Sequence, residues 1–401
     1  MSIFNRLLVA SALAISFVSP ALADADDTFN VYLGVASQRD SNLFRQSANE
    51  QSDTVTTTSL TLALGKSFAQ QRFALDATLI DYRYSNNDYL DYKAKNYSGT
   101  WNWALTHRLS GILSSSQTEV QNSFVDYQAF TPQNRRNIRK INVNYLGGEW
   151  RAMGGWRLLA GLTNNEESNS ETFNAQSSYA LNTWEVGVKY VWPAGTFLQL
   201  LQREGSGEYK DRELVTFDMQ PSPFNPQYDT NFRQIDTETR FSVPFTGQSS
   251  LSAKLARQAR EHENFPDRDY AAFTGRVDYA WQPSGKLSLL AGLRREVASY
   301  QSFASSSYLS DGVNLRPVWQ ISPKIAMNLN YDWQRRKYEG ELISGFPERR
   351  DSLQSIRLGF DWLPVRWATI TGSLQRDSRN SNQDVFDFSA NLYSLNARLN
   401  F

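Results

Sequence analysis

The feature that most constrains the fold is a strict two-residue alternation sustained over about ten residues. In the segment KIAMNLNYDWQ, one side is polar and the other carries Ile325, Met327, Leu329, Tyr331 and Trp333. Successive side chains of a β-strand point to opposite faces, so this segment predicts a strand with one apolar and one polar face. Strands of soluble sheets usually have about five or six residues, whereas a tilted strand that crosses a membrane needs about nine to eleven. The length therefore favours a membrane-spanning strand.

The same alternation recurs along the chain and gathers aromatic residues at the strand ends. NYSGTWNWAL and FTGRVDYAW follow it, and NTWEVGVKYVW places on one face Trp184, Val186, Val188, Tyr190 and Trp192. The chain has 11 Trp, 19 Tyr and 23 Phe, yet after the N-terminal segment no apolar run reaches the length of a membrane helix. Aromatic residues settle where hydrocarbon meets headgroups, as in the girdles of outer-membrane barrels.

The connections between these strands alternate in length. Nine long polar segments alternate with eight short turns, most of them marked by Pro or Gly, near residues 66–71, 107, 152–155, 193–195, 246–249, 283–285, 323 and 364. Together they imply about eighteen strands, an even number as in bacterial single-chain barrels, with both termini on the periplasmic side. We predict an all-β fold: a transmembrane antiparallel β-barrel of about 18 strands with short periplasmic turns and long extracellular loops.

The first and last strands must pair if such a barrel is to close. An open sheet edge in lipid would leave backbone N–H and C=O groups without partners, at a cost of several kcal/mol each. We therefore expect FNVYLGVAS to pair with the C-terminal SLNARLNF, whose terminal Phe401 resembles the signal that the barrel-assembly machinery recognises. The alternative is a soluble β-sandwich or β-solenoid, in which long outward-facing apolar strands would be aggregation sites.

The N-terminal residues predict a secretory signal peptide. Arg6 precedes an apolar run at residues 7–18, and Ala-Leu-Ala at residues 21–23 is a small-residue cleavage pattern. The alternative, a membrane anchor, is disfavoured because the run is short for a bilayer. We assign residues 1–23 to the signal peptide and residues 24–401 to a barrel in the bacterial outer membrane.

Composition argues against several classes of site and partner. The chain has no cysteine, which excludes disulfides, thiolate metal sites and cysteine-linked lipid anchors. Its 41 basic and 41 acidic residues balance, which argues against a nucleic-acid partner. The only histidines, His107 in a short turn and His262 in a loop, show neither metal-ligand spacing nor a nucleophile–histidine–acid pattern. We therefore expect no metal, no cofactor and no enzymatic activity.

The polar faces of the strands should line the lumen. A barrel of this size encloses an aqueous channel rather than a core of side chains. The candidate lumen-lining residues carry both signs of charge and are Glu185, Lys189, Glu238, Arg240, Lys254, Arg276, Asp278, Arg294, Arg357, Asp361 and Arg398. They predict either a selectivity lining for a polar solute or a paired, hydrated wall.

One loop, at residues 204–231, is longer than most connections between strands. It either folds into the lumen as a constriction or caps the barrel from outside. Its aromatic residues, which could stack on sugar rings, are Tyr209, Phe217, Phe224 and Tyr228. Basic clusters at the bases of other loops, at residues 135–140, 335–337 and 349–350, predict either binding of lipopolysaccharide phosphates or electrostatic locking of the loops.

The segment ASQRDSNLFRQ follows the first strand and carries Asp40, Asn42, Leu43 and Phe44. This D-x-N-L-F element resembles that of the EpsL-type outer-membrane proteins of exopolysaccharide operons and of a wider class of β-barrel porins. The resemblance implies a role in export or assembly of an extracellular polysaccharide. From the residues alone, the element is a strand-to-loop turn, in which Asp and Asn favour the turn and the apolar pair packs against the barrel rim.

Three classes of function follow from these observations. The first is an outer-membrane channel for an extracellular polysaccharide, the second is a general or sugar-selective diffusion porin, and the third is a plugged barrel with a structural or enzymatic role. The expected partners are outer-membrane lipid and lipopolysaccharide, the extracellular polysaccharide, and the barrel-assembly machinery, without nucleic acid.

Overall fold

A single antiparallel sheet of eighteen strands forms the structure, a computed structural model that describes residues 28–126, 135–171, 178–210, 229–300, 305–340 and 347–401. Each strand pairs with its neighbours in the sequence, and β1 also pairs with β18. The predicted 18-strand barrel is therefore confirmed. The strands are β1 (Phe29–Asp40), β2 (Asp53–Phe68), β3 (Gln71–Tyr84), β4 (Tyr92–Ala104), β5 (Leu109–Gln121), β6 (Ile138–Arg151), β7 (Trp156–Asn169), β8 (Tyr179–Val191), β9 (Phe197–Tyr209), β10 (Asn231–Thr246), β11 (Ser249–His262), β12 (Tyr270–Ser284), β13 (Leu287–Ser299), β14 (Ser307–Ser322), β15 (Ile325–Glu339), β16 (Arg350–Val365), β17 (Ala368–Ser381) and β18 (Phe388–Asn400).

Strands β1 and β18 close the barrel. Their register runs from Tyr32 opposite Asn400 to Asp40 opposite Leu392. Beyond it, Val31 and Phe401 exchange backbone hydrogen bonds of 3.0 and 2.9 Å. Phe401 thus contributes to closure, and none of the strands in the described part of the chain is left as an open edge with unpaired backbone groups facing lipid.

The strands are longer than the sequence predicted, although turns and loops alternate as expected. They have 12 to 16 residues, because backbone pairing continues above the apolar belt, where both faces are polar and the alternation of polarity disappears. Strand β9 therefore extends to Tyr209 and β11 to His262. The prediction that His262 lies in a loop was wrong, since it is the last residue of a strand.

The two faces of the strands differ in polarity and in exposure. On β8, Trp184 and Val186 are 44% and 47% exposed, whereas Glu185 between them is 8% exposed. The exposed apolar face of a closed barrel in the outer membrane is the face that contacts lipid. The buried polar face is therefore the inner wall.

The long loops contain short 3₁₀ helices among the described residues: Asp88–Leu90, Phe124–Asp126, Pro266–Arg268 and Asp384–Phe386. None of the helices in the described part of the chain is long and apolar enough to cross a membrane.

The register of β15 is tested by substituting two adjacent residues. Leu329 pairs with Leu358 and points to lipid, whereas Asn330 pairs with Arg357 and points to the lumen. We expect Leu329→Arg to destabilise the barrel by about 2–4 kcal/mol, the cost of a basic side chain at the lipid face near the midplane. Asn330→Arg should be tolerated because the lumen is polar. The folding yield of each variant in lipid vesicles can be measured from the heat-dependent gel mobility of the barrel. Equal folding yields for the two variants would contradict the register.

Candidate functional site in the lumen and at the extracellular mouth

A charged cluster lies on the inner wall of β8 to β11. Arg203 joins two carboxylates: its Nε lies 2.6 Å from Glu185 Oε2, and its Nη1 lies 2.7 Å from Glu238 Oε2. Glu238 also contacts Arg240, and Lys254 Nζ lies 2.8 Å from it. The carboxylate of Glu238, which is only 2% exposed, thus faces three cationic side chains. The cations compensate the buried charge, which would be costly to leave without a partner.

Neighbouring glycines leave the space that this cluster requires. The Tyr145 hydroxyl donates a 2.8 Å hydrogen bond to Glu185 Oε1. A Cβ at Gly161 would lie 2.9 Å from that oxygen, and one at Gly147 would lie 2.2 Å from the Tyr145 hydroxyl. A larger residue at either position would displace the tyrosine or the glutamate. The local sequence therefore helps to position the charged group.

The charged wall continues on β12 to β16. Arg294 forms a two-pronged ion pair with Asp332, with distances of 2.8 and 2.7 Å. Arg276 Nε lies 2.6 Å from Asp278 on the same strand. Asp361 accepts hydrogen bonds from side chains on both adjacent strands. In contrast, the inner faces of β1, β2, β4 and β5 carry no charged residue below the extracellular mouth, and β3 between them carries Arg72 and Asp76. Charged side chains are therefore sparser on this side of the lumen.

All eleven lumen candidates lie on the inner face of their strands. Seven of them are basic and four are acidic. Lys189 lies 3.3 Å from Glu149, and Arg398 stacks over the Tyr32 ring at 5.2 Å. Sequence reasoning missed Arg203 and Asp332, the partners that connect these groups. Asp332 stands on the polar face of the alternating segment, and continuing the alternation of β9 past Leu200 would have identified Arg203.

The D-x-N-L-F element is buried at the extracellular end of the barrel. Asn42 is fully buried, and its side-chain amide donates to the carbonyl oxygens of Gln46 and Ser389 at 2.8 and 3.0 Å. We define the mouth cluster as Leu43, Phe44, Leu90, Phe124 and the adjacent Tyr84. Phe44, which is 1% exposed, meets the Phe124 ring edge-on at 4.9 Å. The apolar pair therefore packs against residues from two other loops, and not simply against the rim.

Arg45 holds this segment against the inner wall. It lies 2.8 Å from Asp40 on β1 and 3.7 Å from Asp377 on β17, both inward-facing. Its φ of 55° is in the left-handed region, which non-glycine residues adopt at a cost of about 1–3 kcal/mol and which persists only where the surroundings impose it. The ion pairs provide that constraint.

A second contact bridges the mouth. Arg379 on β17 donates a 2.7 Å hydrogen bond to the carbonyl oxygen of Val125, and it also contacts the carbonyl of Phe386. Val125 follows β5, which is six strands away from β17 in a barrel of eighteen. The loop segment around Phe124 thus reaches across about a third of the circumference and narrows the mouth.

The described part of the long loop does not place its first aromatic residue in the channel. Tyr209 is 3% exposed, its ring lies 4.8 Å from that of Phe232, and its hydroxyl lies 3.3 Å from His262 Nε2. The prediction that Tyr209 offers a free ring face to sugars was therefore wrong, because the end of β9 packs against β10 and β11. Phe217, Phe224 and Tyr228 lie outside the described residues.

The basic clusters divide between the two faces of their strands. Arg336 points inward and stacks over the Tyr308 ring at 4.9 Å, whereas Lys337 points outward to Glu339. Arg349 contacts Asp351 at 2.6 Å and lies 3.5 Å from the centre of the Phe386 ring. The contact of Arg349 with Phe386 joins two loops and is of the loop-locking kind, whereas Arg336 and Tyr308 both lie on strands. Lipopolysaccharide binding by the outward residues stays a prediction.

Asp229 joins two extracellular loops outside the strands. Burial raises the pKa of its carboxyl, but the backbone N–H groups of Asn264 and Asn231 and the Asn264 side chain donate hydrogen bonds to it. The net effect is a pKa below the ordinary value for Asp, so the carboxylate stays charged at neutral pH. Among the described residues, no group of three or more His, Asp or Glu side chains is arranged to hold a metal ion.

Comparisons with known proteins agree with the barrel fold. Residues 260–401 match the family model described as "Putative beta-barrel porin 2". The outer membrane protein OpdK of Pseudomonas aeruginosa has a similar structure, with a TM-score of 0.50, 12% identity, and coverage of 93% of this chain and 99% of that chain. OccK2 (OpdF) of the same organism, in complex with glucuronate, has a TM-score of 0.50, 13% identity, and coverage of 93% and 96%. No curated protein matches the chain in sequence. The chain is thus a bacterial outer-membrane β-barrel with the porin fold.

Proposed function

We propose that the protein is a passive diffusion channel for small hydrophilic solutes, and not an enzyme. The observation that carries the proposal is the closed wall of eighteen strands whose inner face is polar and is charged from β8 to β16. Barrels of sixteen to eighteen strands are wide enough for an aqueous channel, and a polar interior keeps the channel hydrated. A solute would pass between this charged side and the more sparsely charged side formed by β1 to β5.

The balance of charge favours anionic over cationic solutes. The eleven predicted lining residues include seven basic and four acidic side chains, and Arg203 and Asp332 add one of each sign. An excess of positive charge on a low-dielectric wall raises the local concentration of anions. OpdK has been crystallised with vanillate and OccK2 with glucuronate, which are both small carboxylates. We infer that small organic acids, including acidic sugars, are the preferred class.

Export of a polysaccharide, which the resemblance to EpsL-type proteins implies, has less support. The similar structures contain small molecules. In addition, Leu43 and Phe44 of the D-x-N-L-F element pack in the mouth cluster against Phe124, whose loop segment reaches across to β17. A polymer conduit would require this segment to move aside.

Conductance and solute uptake test the proposal. We would insert the purified protein into planar bilayers, record single-channel currents in a KCl gradient, and measure swelling of protein-containing liposomes in glucuronate, glucose and a trisaccharide. We expect stepwise currents, a reversal potential of the sign for anion preference, and swelling that decreases with solute size. Protein unfolded by heat before reconstitution is the control.

Two results would contradict the diffusion channel. Absence of conductance would indicate a plugged barrel. Block of the current by a polysaccharide from the host, without block by small sugars, would instead favour the export conduit.

A further inference from the structure

The outer face of β5 to β8 carries a row of polar side chains linked to one another. Ser115 Oγ donates to Asn144 Oδ1 at 2.7 Å, Asn144 Nδ2 to Asn164 Oδ1 at 3.2 Å, and Asn164 Nδ2 to Asn182 Oδ1 at 2.9 Å. We call these four residues the amide row. They stand in the outward register, as does Leu162, which is 58% exposed.

The amide row reaches the middle of the wall, where the other side of the barrel is apolar. Ser115 is the seventh of thirteen residues in β5, and Asn144 is the seventh of fourteen in β6. On the opposite side of the barrel, Ile356 is the seventh of sixteen residues in β16 and is 40% exposed. The polar surface continues on β9 and β10, where the Thr237 hydroxyl donates to Gln202 at 2.8 Å. The apolar belt is therefore interrupted on one side only.

Hydrocarbon is a poor partner for this surface. An Asn side chain has two N–H donors and a carbonyl oxygen with two lone pairs, and each link of the row uses one donor and one acceptor site. The remaining sites face outward, and a polar group in lipid without a partner costs several kcal/mol. A protein surface could satisfy these sites where lipid tails cannot.

We propose that this face packs against the same face of a second copy of the chain in the membrane. Each amide both donates and accepts, so the surface is complementary to itself about a two-fold axis along the membrane normal. Asn144 and Asn164 are the two middle members of the row, and in this arrangement they would lie nearest the axis. Above them, Lys140 with Glu119 and Lys210 with Glu166 balance their charges, and two copies would not repel each other there.

The area available agrees with a stable dimer. The four strands β5 to β8, about 4.8 Å apart over an apolar height of about 25 Å, give about 480 Å² per copy, and the continuation on β9 raises this to about 600 Å². The total of about 1,200 Å² is at the lower end of specific protein–protein interfaces.

Single cysteine variants test this interface without competing thiols, because the natural chain contains no cysteine. We would oxidise Asn144→Cys and Asn164→Cys in native outer membranes, with Ile356→Cys as the control for random collision. We expect a disulfide-linked dimer from the first two variants and none from the control. Light scattering of the wild-type protein in mild detergent should give the mass of two chains.

A second variant separates loss of the interface from loss of folding. Replacing both Asn144 and Asn164 by Leu should lower the dimer fraction severalfold, while the heat-dependent gel mobility of the barrel is retained. The proposal is overturned by a monomeric mass, by equal cross-linking at Ile356→Cys, or by a cross-link to a different protein. A dimer that does not cross-link at residues 144 and 164 would also overturn it, because a different face would then form the contact.

Discussion

Phe44→Ala should increase the single-channel conductance by releasing the segment that narrows the mouth. Phe44 is 1% exposed and packs against Phe124 and Leu90. Truncation of a buried Phe to Ala costs about 3–5 kcal/mol. Because 1.4 kcal/mol is tenfold in an equilibrium constant, the docked state of the segment would be disfavoured roughly a hundredfold or more. The barrel itself should remain folded, because the strands do not depend on this contact.

Tyr89→Ala is the matched control for this experiment. Tyr89 precedes Leu90 in the same 3₁₀ helix but is 46% exposed, so its loss should leave the mouth cluster in place. Single-channel recordings of both variants give the comparison, and gel mobility before and after heating confirms that both barrels fold. If the two variants conduct like the wild-type protein, the mouth cluster does not limit flow.

Arg203→Gln should shift the ion selectivity of the lumen towards cations. The side chain joins Glu185 and Glu238, so its loss leaves two carboxylates with fewer compensating charges. Removing one member of a buried ion pair costs about 3–5 kcal/mol, and Lys254 and Arg240 retain part of the compensation at Glu238. We expect a reversal potential in a KCl gradient that is less anion-selective than that of the wild-type protein, and a lower unfolding temperature.

Arg295→Gln is the control for the loss of one positive charge. Arg295 pairs with Asp311 on the outer face, where the two side chains are 50% and 46% exposed. Exposed pairs contribute about 0–1 kcal/mol, so neither selectivity nor stability should change measurably. The double substitution of Arg203 and Glu238 by Gln should recover part of the anion preference, because it removes one charge of each sign. Equal reversal potentials for Arg203→Gln and Arg295→Gln would show that the cluster does not set selectivity.

Much of the candidate site could be predicted from the sequence, because alternate residues of each barrel strand point to the lumen and to the lipid. Glu185, Lys189 and Glu238 were predicted to face inward from residue parity alone, and the structure has them there. Arg203 precedes the predicted loop at residue 204 and was missed because the alternation of β9, which continues to Tyr209, was not followed past Leu200. Polarity does not mark the upper end of a strand once both of its faces are in water. The same limit misplaced His262 in a loop.

The contacts at the mouth could not be derived in this way. Arg45 meets Asp377 although 332 positions separate them in the chain, and Arg379 meets Val125 across six strands. Loops have no repeating pattern that indicates which of them will meet. Their contacts depend on how closure of the barrel brings their ends together.

The sequence by itself determined the strand number, the turn and loop alternation, the closing pair and the polarity of each face. These features follow from local rules: side chains alternate along a strand, and backbone groups in lipid must find partners. Only the tertiary structure decided that the D-x-N-L-F element is buried with Leu90 and Phe124, that Arg203 connects two carboxylates, and that the amide row interrupts the apolar belt. Each of these depends on side chains from different strands or loops, and their proximity exists only after the barrel has closed.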